Sequence, residues 1–156
     1  HYEGQHNRCT PEQPLRYLNR LSGPFLDRFD LSLEIPLPPP GLLSQPPRPG
    51  ESSLTVQSRV IAAQHRQYDR QDKLNAHLSS SEIKRYCALS NDDALWLEQT
   101  LMQLGLSIRA WQRLLKVSRT LADMEGVESV VRHHLQEALS YRGIDRMLRH
   151  LQTLLQ

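Results

Sequence analysis

A chain of 156 residues with 38% hydrophobic and 23% charged residues has the ordinary composition of a soluble folded protein and is long enough for one compact domain plus an appendage. Its formal net charge of +2 falls far short of the basic balance expected of a dedicated nucleic-acid-binding domain. No apolar run approaches the roughly 20 residues of a membrane span, and the opening residues HYEGQHNRC lack a secretion signal. We therefore expect a cytoplasmic protein with no membrane segment.

The two cysteines, Cys9 and Cys87, are far apart in the sequence and form no disulfide framework, in keeping with a reducing compartment. Cys87 falls on an apolar helical face and is predicted to be a small buried hydrophobe. Cys9 lies near His1 and His6, but one cysteine and two irregularly spaced histidines give only a fragmentary zinc pattern. A zinc role for Cys9 stays open, and the sequence predicts no metal site.

The first part of the chain favours a short helix followed by a strand. Thr10 fits an N-cap, Pro11 fits the first helical position, and Gln13 fits the partner position of a capping box. The sequence LSLEIP then alternates apolar and polar residues over 31–36, which is typical of a half-buried strand. Because a lone strand has unpaired edges, this one needs a sheet supplied by other residues.

Residues 36–50, PLPPPGLLSQPPRPG, hold seven of the ten prolines. Proline lacks the backbone N–H that a helix interior or an inner strand requires, so the segment forms neither. We predict a semi-rigid linker with polyproline character. A docking site for a proline-recognising domain is the alternative interpretation.

Beyond the linker the sequence predicts helices only, with ends marked by capping residues and by apolar periodicity. The predicted helices run from Ser52 or Ser53 to about Gln71, from Ser79 through Cys87, from Asn91 to Gly105, from Ser107 to Gly126, from Ser129 onward, and over 144–156. The apolar stripe of the last segment is expected to close the helical bundle, with docking on a partner chain as the alternative.

The apolar stripes of these helices predict which residues face the core. We expect inward positions for Val56, Val60 and Ala63, for Ile83 and Tyr86, for Ala94, Leu97, Leu101 and Leu104, for Ile108, Trp111, Leu114, Leu115, Leu121 and Ala122, and for Val131, Leu135 and Ala138. Ser118 is the one small polar interruption in the longest of these stripes.

His133 and His134 are adjacent in a predicted helix. Neighbouring helical side chains point about 100° apart, so we predict that the two imidazoles cannot both bind one metal ion. At least one of them is expected to face solvent.

Arg109, Arg113 and Lys116 line one face of the helix that Ser107 caps, at spacings of four and three residues. A solvated helix face is the plain interpretation of this basic row. Arg109 also lies in the first turn, where unpaired backbone N–H groups and the helix dipole attract anions, so a phosphate can bind there.

Arg28 lies between Asp27 and Asp30, at the point where a helical segment passes into the predicted strand. Two interpretations are open. The arginine can form a local ion pair, which at an exposed position contributes about 0–1 kcal/mol. It can instead project its planar guanidinium towards a neighbouring molecule, and that group suits a phosphate.

Several strings together resemble one family of proteins. They are SGPFLDRFD, RCTPEQ, RYLNRLSGP, KLNAHLS, GLSIRAWQRLLKVSRTLADMEG and EALSYR, and they cover nearly the whole chain. Their order is similar to the C-terminal part of the magnesium-chelatase-like competence group of AAA+ ATPases, the ComM/YifB type.

The resemblance implies a mainly α fold: the helical lid bundle of an AAA+ ATPase, preceded by the last helix–strand piece of its αβα nucleotide-binding core. The implied domains are a core remnant over 1–36, a proline-rich linker over 37–50 and the lid over 51–156. Family members bind ATP and Mg²⁺ and assemble as rings, expected to be hexamers, so the implied partners are the protein's own N-terminal core and neighbouring subunits.

The resemblance also implies a role for two arginines. Arg28 matches the arginine finger, which acts in trans on the nucleotide of an adjacent subunit, and Arg109 matches the sensor-2 arginine, which contacts the γ-phosphate from the lid. The competence relatives imply work on DNA through helicase or branch-migration activity. The chelatase relatives move magnesium into a porphyrin instead, so the family does not fix the substrate.

The sequence contains no G-x-x-x-x-G-K-[ST] loop and no apolar strand ending in paired carboxylates for Mg²⁺. It reads as one piece of a longer protein, and we expect this chain alone neither to hydrolyse ATP nor to bind it tightly.

A second hypothesis, from another class, is a non-catalytic helical module that binds DNA or a protein partner. The sequence pI near 8.7 and the basic row favour it, whereas the net charge of only +2 opposes it.

Overall fold

The computed structural model describes residues 13, 16, 28–33, 35–41, 44 and 49–142, with the side chain of Ile108 excepted. It divides into two compact units, His1–Leu33 with Ser140–Gln156, and Glu34–Leu139. The predictions for Cys9, Thr10 and the tail 144–156 lie outside the described residues.

The prediction of a mainly helical fold is confirmed, because the described residues contain five α-helices and no strand. The helices are α1 (Ser53–Gln71), α2 (Ser80–Tyr86), α3 (Asn91–Gln103), α4 (Ile108–Glu125) and α5 (Arg132–Ser140), and a short 3₁₀ turn, Asn75–His77, lies between α1 and α2. Among these described helices, none is both long and apolar enough to cross a membrane.

Most of the predicted helix ends are confirmed. Ser52 caps α1 by accepting the backbone N–H of Thr55 at 3.2 Å. Ser79 and Glu82 form the predicted capping box at the start of α2. Gly126 closes α4 in the left-handed conformation at φ 85°, which glycine adopts without the steric cost of a Cβ.

Two helix starts differ from the predictions. Ser90, and not Asn91, is the N-cap of α3, since its hydroxyl accepts the backbone N–H of Asp93 at 3.1 Å. Helix α5 begins at Arg132, three residues after the predicted start at Ser129. The observed start agrees with a local cap, because Nδ1 of His134 accepts the backbone N–H of Val131, the residue just before α5, at 3.1 Å.

The core of Glu34–Leu139 is built mainly from the predicted stripes of α2 to α5. Its fully buried members are Leu78, Ile83, Cys87, Leu97, Leu101, Leu114, Leu115, Ala122, Val130, Leu135 and Ala138. Tyr86, Trp111 and Leu121 pack against it half-buried, and Ser118 is buried with its hydroxyl donating to the Leu114 carbonyl at 2.9 Å.

The inward positions predicted for α1 are only partly confirmed. Ala63 is buried, but Val56 and Val60 are 40% and 43% exposed. Val131, expected inside, is 38% exposed. The apolar stripe of α1 therefore extends N-terminally past the part of the helix that packs on α4.

Of the predicted strand over 31–36, the described residues 31–33, 35 and 36 show one isolated parallel bridge, between Ser32 and Arg142. Leu33 and Ile35 are 70% and 83% exposed. A strand needs neighbours to satisfy its edges, and among the described residues only the chain after α5 pairs with this segment.

Candidate functional site

Arg109 is the second residue of α4, and its side chain is exposed. The turn beneath it is well anchored. Ser107 accepts the backbone N–H of Ala110 at 3.4 Å, and Ala110 itself is only 3% exposed. An arginine so placed presents its guanidinium beside the positive end of a helix dipole, which is an arrangement suited to a phosphate oxygen.

The remainder of the basic row is not a freely solvated face. Arg113 and Lys116 are half-buried, and the Lys116 ammonium donates to the Ala76 carbonyl at 2.8 Å. One turn earlier, Gln112 donates to the Ser80 hydroxyl at 3.1 Å. These contacts tie α4 to α2 and to the turn before it, so Lys116 has a structural role and offers less charge to a nucleic acid.

Arg28 is exposed and lies in a turn. The backbone that follows it is held by the residues after α5. The amide and hydroxyl of Ser32 donate to the Tyr141 carbonyl at 2.7 and 2.9 Å, and the Arg142 guanidinium donates to the Phe29 carbonyl at 3.1 Å. Sequence reasoning missed this anchor, although Arg142 belongs to EALSYR, one of the strings on which the family resemblance rests.

The two candidate arginines belong to different compact units, and each is described within its own. The role expected of each arginine rests on its position and its exposure.

A buried polar network joins α1, the 3₁₀ turn and α4. The Asp123 carboxylate accepts two hydrogen bonds from Arg70, at 2.5 and 2.9 Å, and one from the Asn75 amide at 2.8 Å. Asn75 also donates to the Thr120 hydroxyl at 3.0 Å, and its backbone N–H donates to Gln67 at 2.9 Å. The network fixes the C-terminal half of α1 against the C-terminal half of α4.

Arg119, also on α4, is the remaining charged member of the network. It is 2% exposed, pairs with Asp123 at 3.1 Å, and donates to the carbonyl of Val127 at 2.6 Å and to that of Glu128. Its Nε has no hydrogen-bond partner among the described residues, and burial lowers the pKa of Arg119 while the Asp123 charge opposes that change. A buried, paired arginine of this kind organises the chain between α4 and α5.

Sequence reasoning did not find this network. The available signal was an Arg119–Asp123 pair spaced four apart within an otherwise apolar helix, which on its own is typical of a surface ion pair.

Cys87 behaves as predicted. It is 2% exposed, and burial raises the pKa of its thiol to about 11, so it is a small hydrophobe with little thiolate at neutral pH.

Glu125, His133 and His134 form a cluster where α4 ends and α5 begins. Both Nε2 atoms contact the same carboxylate oxygen of Glu125, at 2.8 Å from His133 and 2.6 Å from His134. Their adjacency in the helix does not keep the two imidazoles apart, because the ring centroids lie 4.0 Å from each other and both rings contact Glu125. That they cannot both bind one metal ion stays a prediction. The prediction that at least one faces solvent is confirmed, since His133 is exposed while His134 is buried.

The composition and spacing of this cluster suit a metal ion, but its hydrogen bonds do not. The backbone N–H of Val131 donates to Nδ1 of His134 at 3.1 Å, so in the neutral ring the proton is on Nε2 and points at Glu125. Metal binding through Nε2 would move that proton to Nδ1, where it would face another donor. The cluster is therefore a hydrogen-bonded clasp between two helices.

The clasp predicts a pH dependence of stability. Hydrogen bonds from His133 and then His134 lower the pKa of Glu125 below its ordinary value of 4.5. A lowered folded-state pKa gives stability that is present above pH 4.5 and is lost as the pH falls through the folded-state value. The difference in free energy of unfolding between the native protein and Glu125→Gln is expected to be present at about pH 6. It is expected to shrink as the pH falls below 4.5.

Urea denaturation at a series of pH values measures this difference. Glu98→Gln, at an exposed carboxylate of α3, is the control and is expected to show no such trend. A Glu125→Gln difference that stayed constant down to about pH 3 would contradict the clasp.

The described part of the unit Glu34–Leu139 is thus a bundle of amphipathic helices that presents an arginine in the capped first turn of its most central helix. Two family models match the sequence: "Magnesium chelatase, subunit ChlI C-terminal" over residues 50–142 and "Magnesium chelatase, subunit ChlI" over residues 1–41. The chain belongs to the magnesium chelatase subunit ChlI family.

Similar proteins extend the match over almost the whole chain. The YifB protein of Salmonella typhimurium is 72% identical over 155 residues, which is 99% of this chain and 31% of that protein. The competence protein ComM of Haemophilus influenzae is 51% identical over 154 residues, 99% of this chain and 30% of that protein. A protein of Mycobacterium bovis is 35% identical over 138 residues, 86% of this chain and 27% of that protein. The chain therefore spans about a third of the length of these relatives.

Proposed function

We propose that this chain is the C-terminal part of a magnesium-chelatase-like AAA+ ATPase that acts on DNA in competence or recombination. Membership of the magnesium chelatase subunit ChlI family supports the ATPase class. The 51% identity to a protein named for competence supports the choice of DNA over a porphyrin as substrate. The proposed setting is cytoplasmic, in a ring of six subunits.

The proposed domains are the end of a nucleotide-binding core over 1–36, a linker over 37–50 and a helical lid over 51–156. The two family matches stop at residue 41 and resume at residue 50, on either side of most of the linker. The exposed prolines at 38–40 agree with an unpacked connection.

The observation that carries the proposal is the position of Arg109. Its side chain is exposed on the first turn of α4, and that turn is fixed by the Ser107 cap and the buried Ala110. ATP with Mg²⁺ would supply the phosphoryl group to be transferred, and an arginine so placed fits contact with its terminal phosphate. A movement of the lid would then carry Arg109 towards or away from that phosphate.

Arg28 has the second role in the proposal, acting on a nucleotide held by an adjacent subunit. Phosphoryl transfer depends mainly on positioning and on charge stabilisation, which a guanidinium can supply from across an interface. Its exposure agrees with this role, and the bonds from Ser32 and Arg142 restrain the backbone beside it.

Replacing Arg109 with alanine in the full-length protein tests the lid role. The lost charge-assisted hydrogen bond is worth about 1.5–3 kcal/mol, so kcat/KM for ATP is expected to fall roughly 10- to 100-fold. Steady-state ATPase kinetics measure the change, and Lys84→Ala, at an exposed cation of α2, is the matched control. Equal kcat/KM values for Arg109→Ala and Lys84→Ala would contradict the assignment.

A further inference from the structure

Arg142 is a buried arginine that contacts the backbone next to Arg28. The residue is 8% exposed, and its guanidinium donates to the carbonyl oxygen of Phe29 at 3.1 Å. Phe29 directly follows Arg28 and lies 113 positions from Arg142 in the sequence. All three residues belong to the compact unit formed by His1–Leu33 and Ser140–Gln156. A charged side chain from a distant part of the sequence thus holds the backbone one residue beyond Arg28.

A second contact holds the same segment four residues beyond Arg28. The backbone N–H and the hydroxyl of Ser32 both donate to the Tyr141 carbonyl, at 2.7 and 2.9 Å. Ser32 and Arg142 also form the isolated parallel bridge. Because Tyr141 and Arg142 are adjacent, the carbonyl of one and the side chain of the other restrain the segment at two points.

The segment around Arg28 has no regular secondary structure of its own. Residues 28–30 form a turn followed by a bend, and all three are exposed. None of these three described residues belongs to a helix or a strand. An exposed side chain on such a segment keeps a fixed direction only if tertiary contacts hold its backbone. The contacts from Tyr141 and Arg142 supply that restraint.

The burial of Arg142 favours a role in fixing a conformation over a role in adding stability. A guanidinium taken out of water loses its hydration, so an apolar side chain of similar volume often stabilises a fold at least as well. What the guanidinium adds is direction, because its N–H donors have a fixed planar arrangement. Here those donors are used on a backbone carbonyl beside Arg28.

We propose that Arg142 is a positioning residue for Arg28. Through the Phe29 carbonyl, it holds the backbone in the conformation that directs the Arg28 guanidinium towards a nucleotide bound by the adjacent subunit. The inference rests on the proposed function of Arg28 and adds to it a second arginine that contacts no nucleotide itself. A misplacement of about 1 Å costs a catalytic group roughly 100-fold in rate. Loss of the Arg142 side chain is therefore expected to lower kcat by less than loss of Arg28.

Steady-state ATPase kinetics of Arg142→Met in the full-length protein test the proposal. We expect kcat to fall roughly 10- to 100-fold and KM for ATP to change by less than about threefold, because Arg142 acts on the transition state through Arg28. Arg142→Lys keeps a donor and is expected to recover part of kcat. Arg59→Met, at an exposed arginine of α1, is the matched control and is expected to match the unaltered protein. An unchanged kcat for Arg142→Met would overturn the proposal.

A double variant separates action through Arg28 from an independent effect. If Arg142 acts by positioning Arg28, Arg28→Ala combined with Arg142→Met has the same kcat as Arg28→Ala alone. Single-turnover assays at high enzyme concentration keep these residual rates measurable. Two losses that multiply would overturn the positioning role and leave the role of Arg28 intact. An unchanged kcat for Arg28→Ala would instead contradict the proposed function, and the positioning role with it.

Hydrogen exchange followed by mass spectrometry gives a readout that does not depend on activity. In full-length Arg142→Met, a peptide that spans residues 28–33 is expected to exchange at least about tenfold faster than in the unaltered protein, while peptides of α1 and α4 keep their rates. Equal protection of 28–33 in both proteins would show that Arg142 does not hold the segment. Faster exchange throughout the chain would show a purely structural role. Either result overturns the proposal.

Discussion

Replacing Arg28 with alanine in the full-length protein is expected to lower kcat for ATP hydrolysis roughly 10³- to 10⁵-fold. An arginine finger stabilises charge that develops on the transferred phosphoryl group, and that stabilisation is worth about 4–7 kcal/mol of the barrier. Arg28→Lys keeps the charge but loses the planar fork, so an intermediate loss is expected. Single-turnover and steady-state hydrolysis assays measure both changes.

Mixing experiments separate action in trans from action in cis. Arg28→Ala subunits retain their own nucleotide site, and subunits with a disabled phosphate-binding loop retain Arg28. If Arg28 acts on a neighbour, rings that contain both kinds of subunit regain activity that neither homogeneous ring shows. No recovery at any mixing ratio would contradict the role in trans.

Replacing Asp123 with alanine is expected to lower the free energy of unfolding by about 3–5 kcal/mol. Asp123 is 1% exposed and is the carboxylate partner of Arg119, which is 2% exposed. Without it, a buried guanidinium keeps its desolvation cost and loses its counter-charge. Urea denaturation followed by circular dichroism measures the loss.

Asp69→Ala, at an exposed aspartate of α1, is the matched control and is expected to change stability by less than about 0.5 kcal/mol. The double variant Arg119→Met with Asp123→Leu is expected to lose less than Asp123→Ala, because it leaves no buried charge between these two positions. A loss below about 1 kcal/mol for Asp123→Ala would show that the network contributes little.

The features that the sequence predicted well are set by neighbouring residues. The Ser79–Glu82 capping box and the Ser107 cap each depend on side chains three residues from the backbone groups they satisfy. The left-handed end of α4 depends on Gly126 itself. Local features of this kind can be predicted from the sequence without knowledge of the fold.

The features that the sequence missed depend on distant residues. Asp123 meets Arg70 across 53 positions, and Ser32 meets Tyr141 across 109. No local periodicity encodes such contacts.

The candidate site falls between these two cases. The capped turn that carries Arg109 was predictable from the residues, whereas its role as a phosphate contact came from a resemblance. The engagement of Lys116 with the Ala76 carbonyl, which removes it from the basic row, required the packing of α4 against the preceding turn.

A structure of the full-length assembly with a non-hydrolysable ATP analogue and Mg²⁺ is the most direct test of the central claim. The account predicts that each nucleotide has the Arg109 guanidinium of its own subunit and the Arg28 guanidinium of the next subunit within about 3 Å of terminal phosphate oxygens. Both guanidinium groups lying far from every bound nucleotide would contradict it.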